Sequence, residues 1–197
     1  MNELEAINML LVMVGAAPVN DAESKHPDVA NAKTALNRHR KKFQRKGWYF
    51  NYRRNVELVP AEDGRIRFGK DISMVEMVDR NLIRIGDYLT NRVLNTSLFT
   101  TAVMAHEIIY IYDWANLPEV VQEHIAYLAA ADFVRDEIED IDKIEQLKVD
   151  ATLALIEVRR QDLRVRQLNM WDNAAMTRYR ANWAGTSSSD PMDIARR

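Results

Sequence analysis

Apolar positions recur with two different periods along this chain, and the changes of period divide it. Residues 3–14 place Leu4, Ile7, Leu11 and Val14 on one helical stripe. Met9, Leu10, Val12 and Met13 fill much of the remaining surface, so the pattern predicts a short helix buried on more than one side. Gly15 stops it, and Pro18 with Asn20-Asp21 predicts a loop. Residues 28–46 predict a second helix. Asp28, following Pro27, is the expected N-cap, and Val29, Ala32, Leu36, His39 and Phe43 form its inward stripe.

The period then shortens. Gly47 closes the second helix and runs straight into Trp48, Tyr49 and Phe50, which predicts a helix-to-strand joint with the aromatics in extended chain. From Trp48 to about Tyr112 stand the short runs WYFNYR, NVELV, RIRFG, LIRIG, YLTNRV and VMAHEIIYIY. Pro60, Asp63-Gly64, Gly69 and Gly86-Asp87 divide them. In RIRF and LIRI apolar and basic residues alternate, as on a half-buried antiparallel sheet.

Helical spacing resumes near Leu117-Pro118, with Pro118 marking the start and Val121, Ile125, Leu128 and Ala131 forming the stripe. A long helix is predicted from about Ile141 to Met170. Ile144, Leu147, Ala151, Ala154, Val158, Gln161, Val165 and Leu168 follow a seven-residue spacing, the mark of a bundle seam. Beyond Trp171 the pattern fades into polar residues with Gly185, three consecutive serines and Pro191, which reads as an extended C-terminal arm. The expected fold is therefore α+β. Residues 1–47 and 113–172 form a discontinuous helical bundle, residues 48–112 an inserted small antiparallel β-domain, and residues 173–197 the arm.

At 197 residues the chain is long enough to bury a real core, and its net charge of −2 implies no global pull toward nucleic acid or membrane. The charge is unevenly placed. Arg38, Arg40, Lys41, Lys42, Arg45 and Lys46 crowd one helix end, whereas Asp132, Asp136, Glu137, Glu139, Asp140, Asp142 and Glu145 crowd a helix junction. The chain has no cysteine, which excludes disulfides, thiol catalysis and cysteine-based zinc sites and fits synthesis in a reducing cytoplasm. No run approaches the roughly 20 apolar residues of a membrane helix, and Glu3 and Glu5 precede MLLVMV where a secretory signal would be basic.

Catalytic constellations are missing. His106-Glu107 begins like a metalloprotease motif, but Tyr110 stands where the second histidine is needed, and a strand would turn His106 and Glu107 to opposite sides. The acidic junction supplies oxygen ligands in number without the glycine or the alternation of a calcium loop, so it reads as a solvated face or an inter-subunit patch. No cofactor or metal is expected. The basic end, with Arg53 and Arg54 and the neighbouring aromatics, carries two readings: phosphate contact, or core aromatics beside a charged helix end. Trp171, Tyr179 and Trp183 lie near or in the arm and are candidate anchors on a partner or on the chain's own bundle.

Several elements stand in one order: AINMLLVMVGAAPVN, DVANAKTALNRHRKKFQRKGWYFN, VELVP followed by GRIRF, GDYLTNRVLNT, and LPEVVQEHIAYLAAADF. The most specific is Gly47-Trp48 with Phe50-Asn51. With these elements the chain resembles, from roughly Ala6 to Trp171, the tail tubular protein A family, the head-to-tail adaptors of short-tailed bacteriophages (podoviruses). The segment Phe68 to Asp79 departs from that likeness. The resemblance implies a non-enzymatic virion protein of the phage tail, a helical bundle with a small β-domain. It implies a self-assembled ring, of twelve copies by analogy, between the portal protein and the tail nozzle (tail tubular protein B). Genomic DNA would pass through the lumen without sequence-specific binding, and a tail fibre would attach nearby. The alternative is a monomeric or dimeric nucleic-acid-binding protein that uses residues 38–54.

Overall fold

Residues 1–24 and 26–166 are described by a computed structural model, in which they form an α+β fold of four α-helices and five strands. Helix α1 (Glu3–Met13) opens on a capping box. Asn2 Oδ1 accepts from the Glu5 N–H at 2.7 Å, and the Glu5 carboxylate accepts from the Asn2 N–H at 2.8 Å. Ala6, Ile7, Leu10 and Leu11 are buried, but Val12 is 55% exposed. The apolar crowding of α1 thus overstates its burial, because the helix lies at the margin of the bundle and covers only one side.

Helix α2 (Pro27–Gln44) starts one residue before the predicted boundary. His26, not Asp28, is its N-cap: the imidazole Nδ1 accepts from the Asp28 N–H at 3.4 Å. Pro27 fits the first turn because its missing N–H would have no helical partner, and the Asp28 carboxylate favours the positive end of the helix. Val29, Ala32, Leu36, His39 and Phe43 are all buried.

The strands are β1 (Tyr52–Leu58), β2 (Ile72–Met77), β3 (Leu82–Ile85), β4 (Tyr88–Asn91) and β5 (Val103–Tyr110). β5 lies between β1 and β2 and is antiparallel to both, with Tyr52 opposite Ile109 and Met77 opposite Ala105. β3 and β4 make a separate two-stranded sheet. β2 carries no alternation in the sequence because its register shifts twice, between Ile72 and Met74 and between Glu76 and Met77. The RIRF run buries Ile66 and Phe68 but is not a strand; Arg67 makes a single bridge to Tyr88.

In LIRI the expected facing is reversed. Leu82 is buried, while Ile83 and Ile85 are 37% and 56% exposed. Arg84 shares the Leu82 side. Its guanidinium lies 5.4 Å from the Phe68 ring centroid and donates to the carbonyls of Ile72 at 2.6 Å and Gly86 at 2.8 Å. Cation–π contact and two satisfied donors let an arginine take the inner side, and the isoleucines turn outward.

A 3-10 turn at Trp114–Asn116 leads into α3 (Glu119–Glu137), followed by α4 (Ile141–Arg166). α3 is the central helix and packs on α1, α2 and α4; Ala126, Ala129, Ala130 and Ala131 are buried and let its neighbours approach closely. Of the α4 seam, Leu147, Ala151 and Val158 are buried, Ile144, Ala154 and Gln161 are half-buried, and Val165 is 60% exposed. Leu168, Met170 and the whole arm lie outside the described residues. Two apolar clusters result. One fills the helices and includes Trp48 and Trp114; the other lies under the sheet around Ile66, Phe68, Leu89 and Ile108. Among the described residues no helix is long and apolar enough to cross a membrane.

Candidate assembly surface

Gly47 takes a φ of +71°, a left-handed conformation that a side chain disfavours. Space is tight as well, since a Cβ would stand 2.9 Å from Ile109 Cδ1 and the isoleucine would have to shift. The aromatics after it are not extended chain. Residues 49–51 make a turn, closed by the Asn51 N–H donating to the Trp48 carbonyl at 3.1 Å, and β1 begins only at Tyr52. The reason is Asn51, which is fully buried. Its Oδ1 accepts from the Trp48 N–H at 2.8 Å, and its Nδ2 donates to the carbonyls of Gln44 at 2.9 Å and Tyr110 at 2.6 Å. One side chain thus holds the end of α2, the turn and β5 together.

Trp48 is 8% exposed and stacks on Phe43, with ring centroids 4.7 Å apart and planes 13° apart. Its indole N–H donates to the Phe43 carbonyl at 2.9 Å. Phe50 is half-buried and packs against the helical cluster. Tyr49 turns the other way, its hydroxyl bonded to Gln161 at 2.8 Å and its backbone N–H donating to Asp162 at 2.7 Å. Burial, then the Asp162 charge, pushes the Tyr49 hydroxyl above its ordinary pKa, so it stays a donor.

The basic stretch divides into inward and outward residues. Arg40 is buried, donating to the Tyr112 carbonyl at 2.6 Å and to Asp113 at 2.8 Å. Arg38 pairs with Asp132 at 2.9 Å, and the same carboxylate meets His39 Nε2 at 2.7 Å. Burial favours the neutral Asp132 carboxyl, but the His39 hydrogen bond and the charges of His39, Arg135 and Arg38 outweigh it and hold its pKa below the ordinary value. Lys41, Lys42, Arg45 and Lys46 remain exposed. Arg40 is therefore a structural cation, not an outward one, and the rest of the run offers four outward charges.

Nothing in the residue pattern marks Gln44. It is fully buried, donating to the Tyr112 carbonyl at 2.9 Å while accepting from the Tyr112 N–H at 2.7 Å. A polar residue at a basic helix end looks solvated until the segment it bonds is known. Asp162 and Arg166 were equally hidden, since their partners lie more than a hundred positions away. Trp171, Tyr179 and Trp183 lie outside the described residues. His106 is exposed on β5, and Glu107 accepts from the Tyr52 hydroxyl on that strand's other side. Among the described residues no group of side chains is placed to hold a metal ion.

Buried side-chain N and O atoms among the described residues all have partners, which join helix to helix at His39 and His124 and the end of α2 to the sheet and the segment after it at Arg40, Gln44 and Asn51. The profile described as tail tubular protein matches residues 4–178, and the chain belongs to that family, the structural proteins of phage tails. No curated protein matches the chain.

Proposed function

We propose that this chain is a head-to-tail adaptor. Copies of it close into a ring, twelve by family analogy, between the portal protein and the tail nozzle formed by tail tubular protein B. Genomic DNA passes through the lumen without sequence-specific contact, and a tail fibre attaches near the junction. The observation that carries this reading is the family match across residues 4–178, nearly the whole chain. The surface supports it. Val149, Leu153, Ile156 and Leu163 are between 48% and 60% exposed and recur at helical spacing along α4, on a different side from the buried Leu147, Ala151 and Val158. A helix with two apolar sides is suited to a second partner.

The nucleic-acid alternative is weaker on the same residues. Of the cations in 38–54, Arg38 and Arg40 are engaged within the subunit, and the Trp48 face is stacked inside the core, where no base can reach it. Mixing the purified chain with its cognate portal ring and imaging the product tests the adaptor reading. A stacked second ring is expected. A portal that stays bare at micromolar chain would overturn it.

A further inference from the structure

Two surfaces of this subunit are opposite in charge and alike in carrying apolar side chains among the charged ones. The first is a cleft of about 620 Å³ between the C-terminal half of α2 and the sheet. Lys41 and Arg45 line it from α2, and Lys70 and Arg84 from the β-rich segment; no carboxylate is among its lining residues. Ile72, Met74 and Ile111, with Ser73, complete its lining. Arg84 is held by carbonyls, whereas Lys41, Arg45 and Lys70 have no ion-pair partner among the described residues.

The second is the corner joining α3 to α4. Asp136 and Asp140 are engaged by Arg135 at 3.0 Å and Lys143 at 3.4 Å. Glu137, Glu139, Asp142 and Glu145 are exposed and make no ion pair among the described residues. Between them Ile138 and Ile141 are 42% and 69% exposed. The corner therefore carries Ile138 and Ile141 among carboxylates, and the cleft carries Ile72, Met74 and Ile111 among cations.

The two do not meet within one subunit. The corner packs beside the middle of α2, where Thr34 and Arg38 line a groove with Asp136 and Glu137. The cleft begins at Lys41, one helical turn past Arg38, and no ion pair among the described residues joins its cations to the carboxylates of the corner. Complementary surfaces left unpaired on one chain are what a heterologous contact needs, in which each copy gives one face and receives the other.

We propose that the α3–α4 corner of one copy docks in the α2–sheet cleft of the next. This rests on the ring reading above and assigns its subunit contact. A DNA backbone is the poorer occupant, because phosphate has no use for the Ile72, Met74 and Ile111 side chains that share the cleft with the cations.

The test uses two full-length variants. Lys41→Glu with Arg45→Glu and Lys70→Glu leaves only Arg84 against three new carboxylates and makes the cleft acidic, and Glu137→Lys with Glu139→Lys, Asp142→Lys and Glu145→Lys makes the corner basic. Each alone should lose at least about tenfold of its ring formation on the portal while keeping the wild-type circular dichroism. An equimolar mixture should restore rings, since acidic corners then meet basic clefts and basic corners meet acidic clefts in alternation. Normal rings from either variant alone, or no rescue by two folded variants, would overturn the proposal. So would a cleft variant that forms rings and loses only DNA binding, which would give the cleft to phosphate. If wild type forms no ring on the portal, the adaptor reading fails separately, and crosslinking decides the contact. The native chain has no cysteine, so Lys70→Cys with Asp142→Cys and a bifunctional maleimide should give a ladder of covalent oligomers in concentrated solution. Monomer alone would reject the contact.

Discussion

The Gly47 carbonyl accepts a hydrogen bond from Arg166 at 2.7 Å, although the two residues stand 119 positions apart. Arg166 Nε also donates to Asp162 at 2.9 Å, and its guanidinium lies 4.9 Å from the Tyr52 ring centroid. One arginine near the end of α4 thus fastens that helix to the α2–β1 joint. Arg166→Ala should lower stability by about 1–3 kcal/mol, the usual scale for charge-assisted hydrogen bonds. Arg166→Lys should not restore it, because an ammonium cannot span the carbonyl, the carboxylate and the ring together. Urea midpoints of the two variants check this, and a lysine variant with wild-type stability would show that charge alone suffices.

Trp48 fills the space where α2 meets the turn. Trp48→Ala should cost about 3–5 kcal/mol, as large aromatic truncations in cores do. Trp48→Phe keeps a stacked ring on Phe43 but loses the indole donor to the Phe43 carbonyl, and should cost roughly 1–2 kcal/mol beyond any packing loss. Thermal melts of both variants would separate packing from hydrogen bonding. Equal melting temperatures would mean that the ring contributes little.

Gly47→Ala meets two obstacles, the φ of +71° and the Ile109 side chain. The conformational part should cost about 1–2 kcal/mol. The steric part involves Ile109 Cδ1, an atom that Ile109→Val removes. The double variant should therefore be less destabilised than the sum of the two singles. Strict additivity in a double-mutant cycle would place the whole cost in the backbone.

Acid should weaken the fold in two stages. Burial lowers the His124 pKa below its ordinary 6.5, with His39, Lys46 and Arg159 adding to the effect and the Ala151 carbonyl opposing it. The unfolded chain then binds a proton near pH 6.5 that the folded chain refuses, so this stability is lost as pH falls below 6.5. The depressed Asp132 contributes stability above its unfolded value of 3.8, which is lost as pH falls from there through its folded value. Denaturant midpoints measured from pH 8 to pH 3 should show both stages, and His124→Gln should flatten the first. An unchanged slope in that variant would assign the first stage to other groups.

What the sequence made legible follows physical range. The α2 stripe is read from positions three or four apart, and all five of its residues are inward. The Gly47 stop is equally local. Reading failed where a distant partner decides. LIRI turns its isoleucines outward because Arg84 finds the Phe68 ring and the Ile72 carbonyl. Asn51 bends the aromatics into a turn because Tyr110 lies beside it in space. β2 was missed because two bulges erase its alternation. Half of the basic cleft, Lys70 and Arg84, could not be joined to Lys41 and Arg45 before the sheet was placed against α2. The acidic run was visible as composition, but its sharp corner was not.

That corner turns on Glu139, whose φ of +53° belongs to glycine's territory. A side chain there costs about 1 kcal/mol. Glu139→Gly would relax the lone subunit while stripping a carboxylate from the surface it offers to a neighbour. Thermal tolerance and sociability then pull on one backbone position in opposite directions. A library screened only for heat resistance would enrich glycine at 139, and its sturdiest members would be the worst builders.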